Sequence, residues 1–380
     1  MAGVYVHIPF CASRCLYCDF FSTTALQRRK EYVDTLLIEM EQRKGEYVEY
    51  GKGEVETIYI GGGTPSQLNT EELGRLFNGI YTQFRISSDA EVTIECNPED
   101  VNECFVNGLK QLAVNRVSMG IQTFDDERLR FLGRRHNSRK ALDAVYLLQD
   151  SGYENISIDL MFGFPEESIS DWEKDLETAI GLGVPHLSAY SLMYEEGTRL
   201  TKMRDTGKIT PIDDEQSLDM YTLLIQYTEQ SGYEHYELSN FSKAGFASRH
   251  NMCYWTGVPY IGFGAGAHSY DGSHLRRWNV SSLDGYIKGV RSGDCYFDTE
   301  FLSEKDIYNE YIMTRLRTRN GIDMREYERW ISEGKSYRMF KEMMERHVAL
   351  GNLAVDSGSL HLTRKGLFIS DSVMSDFFVV

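Results

Sequence analysis

The chain has 380 residues, 42% hydrophobic and 12% aromatic, enough for a sizeable core and, by length, for two or three domains. A net charge of −17 disfavours non-specific binding to nucleic-acid backbones or anionic lipid. No apolar run of about 18 residues could span a bilayer, and the first residues lack the basic and apolar regions of a signal peptide, so the expected compartment is the cytoplasm.

Residues 4–8 (VYVHI) read as a first strand. Three of the seven cysteines follow at once: Cys11, Cys15 and Cys18, spaced C-x3-C-x2-C, with Phe20 where a fourth could stand. An odd, scattered cysteine set is no disulfide framework, and a tight cluster of this kind points to a metal or redox site. Tyr32, Val33, Leu36, Leu37 and Met40 set one apolar stripe on a helix at 31–44. Strands are expected at 55–60, 91–95, 116–120, 155–160 and 186–190, with 233–238 as a seventh; several are apolar on both faces, as covered parallel strands are. Thr70, followed by Glu71 and Glu72, reads as a helix N-cap. Ala141, Ala144, Val145 and Leu148 form a further helical stripe.

Repeated β-then-α units predict an α/β fold, a partial (β/α)6 barrel of the TIM type, with its chemistry at the C-terminal ends of the strands. Those ends carry the cysteine loop, 61-GGGTP-65, 95-ECNPED-100, 120-GIQTF-124 and Asp159. Five consecutive polar or glycine-rich strand ends imply one shared site.

The expected organisation is a barrel over 1–240, a connecting segment over 241–300 with 291–300 as linker, and a C-terminal domain over 301–380. The last is read as α-rich and winged-helix-like, with helices near 303–319, 323–332 and 335–350, a hairpin at 353–363 and a final helix at 364–378.

A cubane iron–sulfur cluster has four irons, normally with one thiolate each, so three thiolates leave one iron open to chelate a substrate or cofactor. The alternative is a zinc loop with a remote fourth ligand such as Cys96 or His7, although zinc loops favour paired C-x2-C units and only one is present. C-x3-C-x2-C after a first strand resembles the radical SAM superfamily. The stretches 4-VYVHIPFC-11, 59-YIGGGTPS-66, 120-GIQTFDDERLRFLGRRH-136 and 158-IDLMFGFP-165 resemble its coproporphyrinogen dehydrogenase, or HemN-like, branch.

That resemblance implies a 4Fe–4S cluster on Cys11, Cys15 and Cys18 and a bound S-adenosylmethionine. It implies contacts from Tyr5 and Tyr17 beside the cluster and adenine, and from Gly62, Gly63 and Thr64 near the methionine amino group. Glu95 and Asp159 would serve ribose hydroxyls or an ammonium, and Gln122 and Arg134 are polar positions of the same mouth. No Gly-Lys-Ser/Thr follows the glycines, which sets aside a phosphate loop.

The oxidases of this branch carry a fourth cysteine two residues after the third, and a substantial N-terminal arm; this chain has Phe20 there and ten residues before Cys11. The H-N-x-x-Y-W pattern from His250 to Trp255, with Cys18-Asp19-Phe20, resembles the heme-chaperone members of the superfamily along essentially the whole chain. It implies heme binding and delivery to acceptor hemoproteins, respiratory ones included, with peripheral membrane association open and no nucleic-acid partner. Imidazole and thiolate both ligate heme iron, which makes His250 the candidate heme ligand and Cys253 a lesser one; Tyr254 and Trp255 offer flat faces to a macrocycle. His268, Cys96, Cys104 and Cys295 are read as structural. The alternatives are an oxygen-independent coproporphyrinogen III oxidase and a cluster-bearing interaction protein that uses adenosylmethionine only structurally.

Overall fold

The computed structural model describes residues 2–51, 53–330 and 335–379. Six parallel strands form its centre: β1 (Gly3–Ile8), β2 (Val55–Gly62), β3 (Ile86–Cys96), β4 (Arg116–Gln122), β5 (Asn155–Phe162) and β6 (His186–Ser191). Each pairs in parallel with the next. The helices that alternate with them are α1 (Arg29–Gly51), α2 (Thr70–Gln83), α3 (Glu103–Lys110), α4 (Asp126–Leu132), α5 (Ser138–Asp150) and α6 (Ile169–Gly181). This is the expected partial barrel.

Strand period decides what each face does. Val4, Val6 and Ile8, with Ile58, Ile60, Val92, Ile94, Val117 and Met119, join the helix stripes of α1 and α2 in one apolar core. Burying each such side chain fully stabilises the fold by about 1.5–3 kcal/mol. The alternate positions hold His7, Thr57, Glu91, Thr93, Arg116, Ser118, Ser157, His186 and Ser188, all of them buried. The inner side of the arc is therefore polar.

Four expectations are corrected. Asn69, not Thr70, caps α2: its side chain accepts from the Glu72 amide at 2.9 Å, and Glu72 accepts from the Asn69 amide at 2.9 Å. This reciprocal box uses two amides that a cap at Thr70 would leave unmet. The seventh strand does not continue the parallel arc. After α7 (Arg199–Asp205) and α8 (Asp214–Gln230), β7 (Glu234–Glu237) pairs antiparallel with β8 (Asn240–Ser242), which pairs antiparallel with β6. A two-residue connection permits only an antiparallel return.

The stretch 241–300 also does more than connect. After α9 (Arg249–Thr256), β9 (Tyr260–Phe263) adds in parallel to β1, and β10 (His268–Tyr270), β11 (Leu275–Asn279) and β12 (Phe297–Phe301) extend the sheet antiparallel, with α10 (Leu283–Ser292) inserted before β12. The expected linker thus ends in an edge strand. Among the described residues the sheet has 12 strands, with β1 inside it between β9 and β2.

The C-terminal region has its own core around Tyr308, Ile312, Tyr327, Phe340 and Phe377. It comprises α11 (Glu304–Leu316), β13 (Ile322–Asp323), α12 (Met324–Trp330), α13 (Lys335–Ala349), β14 (Leu353–Asp356), β15 (Ser359–Leu362), α14 (Arg364–Leu367) and α15 (Ser370–Ser375). The expected hairpin is β14–β15, with β13 on its other side. The expected final helix is two short ones, and residues 331 and 332 of the expected helix 323–332 lie outside the described residues.

One carboxylate ties the added strands to the barrel. Glu39 on α1 is fully buried and accepts four hydrogen bonds: from Arg43 at 2.9 Å, Asn279 at 2.7 Å, the Gly264 amide at 2.8 Å and the Tyr286 hydroxyl at 2.7 Å. Glu39→Ala leaves the buried Arg43 guanidinium with Glu46, at 2.9 Å, as its remaining carboxylate and strands the donors of Asn279, Gly264 and Tyr286. It should cost about 3–5 kcal/mol, measurable as a lower urea midpoint.

Candidate functional site

At the C-terminal ends of β1 to β5 the chain lines a cavity of about 230 Å³. Its walls include Cys11, Cys15, Cys18, Tyr5, Tyr17, Gly62, Gly63, Thr64, Glu95, Gln122, Arg134 and Asp159. Every site residue expected from the sequence is here except His250.

The loop after β1 is pinned at several points. Cys11 donates its amide to the Thr23 carbonyl at 2.9 Å, Thr23 donates to Pro9 at 2.7 Å, and Leu16 donates to Leu132 at 3.0 Å. His7 Nε2 donates to the Phe21 carbonyl at 2.9 Å, so its Nδ1 is the acceptor for the Tyr5 hydroxyl at 3.0 Å. Both nitrogens of His7 are thereby used, and burial lowers its pKa to about 4. This removes His7 as a remote zinc ligand. Among the described residues, no three or more His, Cys, Asp or Glu side chains converge as a single ion would require.

The glycine run after β2 passes directly beneath the cysteines. A Cβ on Gly63 would lie 3.0 Å from Cys11 Sγ, and one on Gly62, whose φ is +114°, would lie 2.6 Å from the His7 ring. Only glycine gives both the conformation and the clearance. Thr64 Oγ1 sits 3.4 Å from Cys11 Sγ. Arg134 donates to Asn97 Oδ1 at 2.7 Å and approaches Cys15 Sγ at 3.7 Å, which sets a cation beside the thiols. Burial raises the Cys11 thiol pKa and pushes Cys18 up to about 11. Three sulfurs around a cradle with no bulk at Gly63 fit an iron–sulfur cluster.

Two carboxyls face the same cavity. Glu95 accepts from Tyr59 at 2.7 Å and from the Gly62 amide at 3.0 Å; burial raises its pKa to about 7, with Asp159 adding to the rise. Burial likewise raises Asp159 to about 6. Gln122 lies at a bulge between β4 and β5 with φ of +76°, a left-handed conformation that side chains other than glycine rarely adopt. Strain of this kind, about 1–3 kcal/mol, clusters at functional sites. Sequence reasoning missed Asn97 and Tyr59; Asn97 lay unremarked inside the ECNPED punctuation.

His250 is at the other end of the barrel. Its level is that of Gly3, Thr57 and Glu91, four residues below Glu95 in strand register and so roughly 13 Å down the strand, while its ring comes within 6.4 Å of the ring of Tyr5, which lines the mouth. It is fully buried, with Nδ1 2.9 Å from Thr57 Oγ1 and Nε2 2.9 Å from the Tyr254 hydroxyl. The Glu91 carboxylate accepts from the Arg249 and His250 amides at 3.0 Å each, capping α9 from inside the barrel. Cys253 is buried, its thiol 3.3 Å from the Arg249 carbonyl.

A column of polar contacts joins the two ends. The His250 ring stacks on Tyr59 with centroids 5.1 Å apart and 25° between planes, and the Tyr59 hydroxyl is bound to Glu95 in the mouth.

A parallel arc carrying three cysteines after its first strand and a glycine run after its second defines a protein of the radical SAM class. The radical SAM superfamily profile matches residues 5–179, and the HemN C-terminal domain profile matches 302–369. The structure of coproporphyrinogen III oxidase (HemN) from Escherichia coli superposes with a TM-score of 0.85 over 99% of this chain and 89% of that one; at 22% identity this is a likeness of fold. Heme chaperone HemW of Bacillus subtilis (strain 168) is 34% identical over 99% of both chains. That of Escherichia coli (strain K12) is 32% identical over 99% of this chain and 97% of its own. The chain belongs to the HemW heme-chaperone family. No described helix is long and apolar enough to cross a membrane.

His250→Ala would empty a buried site and leave the Thr57 and Tyr254 hydroxyls without their partner, at a cost of about 2–4 kcal/mol by urea denaturation. Burial, aided by Arg116, lowers the His250 pKa from 6.5 to about 3. Between these values the unfolded chain binds a proton that the native state refuses, so this site's contribution to stability falls as pH drops below about 6.5. His250→Gln should show a shallower acid loss than the parent between about pH 6.5 and 4.

Proposed function

We propose that the protein is a cytoplasmic heme chaperone that binds heme and passes it to an acceptor hemoprotein. It would carry a 4Fe–4S cluster on Cys11, Cys15 and Cys18 and hold S-adenosylmethionine in the same mouth. The observation that carries this reading over the oxidase is Phe20. Where the oxidase branch places a further cysteine, this chain puts a phenyl ring, 64% exposed, on the rim of the mouth.

When bound, such a cluster supplies an iron with a free coordination position and a source of electrons. The chain's own residues bind and orient. Gly62 and Gly63 let backbone approach the ligand, and Thr64 and Asn97 offer short polar side chains. Arg134 balances the charge of the thiolates. Glu95 and Asp159 offer carboxylates to cationic or hydroxyl groups, and Tyr5 and Tyr17 shield the cavity from water.

Anaerobic reconstitution should give a protein that takes up heme stably and shows a cluster spectrum perturbed by adenosylmethionine. Replacing all three cysteines with serine should abolish the cluster spectrum and its iron. Failure of the parent protein to take up heme would count against the chaperone reading, and sustained vinyl-group formation from coproporphyrinogen would replace it with the oxidase.

The pH dependence follows from Glu95, which faces Tyr59, Asp159, Arg116 and the Gly62 amide. A ligand bearing ammonium and sulfonium charges favours the ionised carboxyl. Affinity for adenosylmethionine should therefore decline as pH falls below about 7, by up to roughly tenfold per unit for one proton. Glu95→Gln should bind more weakly at pH 8 and lack that decline in calorimetric titrations.

A further inference from the structure

The mouth, at about 230 Å³, is filled by the cluster and adenosylmethionine if the proposed function holds. A larger hollow of about 600 Å³ opens on the outside of the barrel. It lies between α9, the β10–β11 hairpin and α11, and its size is in the range of roughly 300–1,000 Å³ that small-molecule sites occupy.

Its aromatic wall is Tyr254, Trp255 and Tyr260. Tyr254 and Tyr260 meet edge to face, with centroids 4.8 Å apart at 90°. The Trp255 indole N–H is buried with no hydrogen-bond partner among the described residues, and Arg317 stacks on the ring at 5.0 Å.

Two guanidinium groups stand on the walls. Arg276 is held by Glu310 through two 2.7 Å contacts. Arg315 donates to the Thr256 carbonyl at 3.2 Å, lies over the Tyr311 ring at 5.5 Å, and makes no ion pair among the described residues. Aromatic faces beside two cations, one lacking a carboxylate, suit a flat aromatic ligand that carries two carboxylates.

We infer that this groove, rather than the cysteine-lined mouth, receives the heme, with the macrocycle against the wall of Tyr254, Trp255 and Tyr260 and its propionates at Arg315 and Arg276. The inference rests on the chaperone reading and gives that reading a place. Glu310 and Glu326 line the same groove, so recognition comes from individual pairings and not from an overall positive field. Arg276 is shared between Glu310 and one propionate, while Arg315 takes the other outright.

The groove is also joined to the mouth. Tyr254 forms its wall while its hydroxyl turns inward to His250, which stacks on Tyr59, which binds Glu95. The histidine of the H-N-x-x-Y-W pattern thus sits one hydrogen bond behind the groove wall, with both ring nitrogens engaged. On this geometry it positions Tyr254 instead of meeting the iron.

The test is a heme titration followed by Soret absorbance on the full chain. It compares the parent protein, Arg315→Glu, Met313→Trp (which fills the groove from its exposed rim) and the triple cysteine-to-serine variant. Adenosylmethionine binding to the reconstituted single variants and their melting curves report folding. Both groove variants should lose at least about tenfold in heme affinity while adenosylmethionine binding stays within twofold, and the cysteine variant should bind heme as the parent does. If Arg315→Glu does not fold, Met313→Trp decides alone. Heme uptake by the parent and both groove variants alike, or its loss only in the cysteine variant, would overturn the groove and leave the chaperone reading standing. No heme uptake by the parent protein would end both.

Discussion

Everything in this structure depends on keeping the inside of a half-open barrel polar while pairing most of its polar groups; among the described residues Thr93 Oγ1 and Arg116 Nε are left without a hydrogen-bond partner. A buried donor or acceptor without a partner costs about 1–3 kcal/mol, so a polar interior survives only as a connected network. The strands meet that requirement in layers. Near the N-terminal ends Glu91 caps α9, and His250 bridges Thr57 and Tyr254. His186 bridges Ser157 and Tyr236 on the opposite side, at 2.7 and 2.8 Å. Higher up, Tyr59 meets Glu95, and Tyr5 meets His7. Arg116, 2% exposed, is the cation that Glu95, Asp159, His186 and His250 all sense.

If the proposed function and the groove hold, that network lets one scaffold serve two ligands. A cationic ligand in the mouth would meet two carboxyls, Glu95 and Asp159, whose pKa values burial raises. The groove needs a rigid aromatic wall, and Tyr254 is rigid because its hydroxyl is anchored in the barrel. The same column of side chains carries both demands. Glu95, Tyr59, His250 and Tyr254 form one unbroken line of contacts along which a change at either end would be passed on. Coupling through packed, hydrogen-bonded groups of this kind needs no large movement.

Much of the site was legible because its chemistry is local. Cys11, Cys15 and Cys18 lie on one short loop, Gly62, Gly63 and Thr64 on another, and strand ends converge in any parallel barrel. Period and turn residues located all six central strands. The errors have physical causes. Thr70 and Asn69 are both capping residues, and only the reciprocal bonds to Glu72 choose between them. The stretch 241–300 has no helix-and-strand rhythm to mark it as sheet, because its strands are short and pair antiparallel with each other, with only β9 running parallel to β1.

His250 marks the boundary between the two kinds of information. The sequence by itself determined that a three-cysteine loop opens a parallel barrel, since spacing and strand period act over a few residues. It also singled out His250 beside two aromatic rings. Only the tertiary structure decided that this histidine lies at the far end of the barrel from the cysteines, with both nitrogens spent on Thr57 and Tyr254. That placement comes from α9 docking beneath β1 to β3 against Glu91, a contact between residues 159 apart in the chain. No local pattern encodes it, because the partners meet only when the barrel has formed.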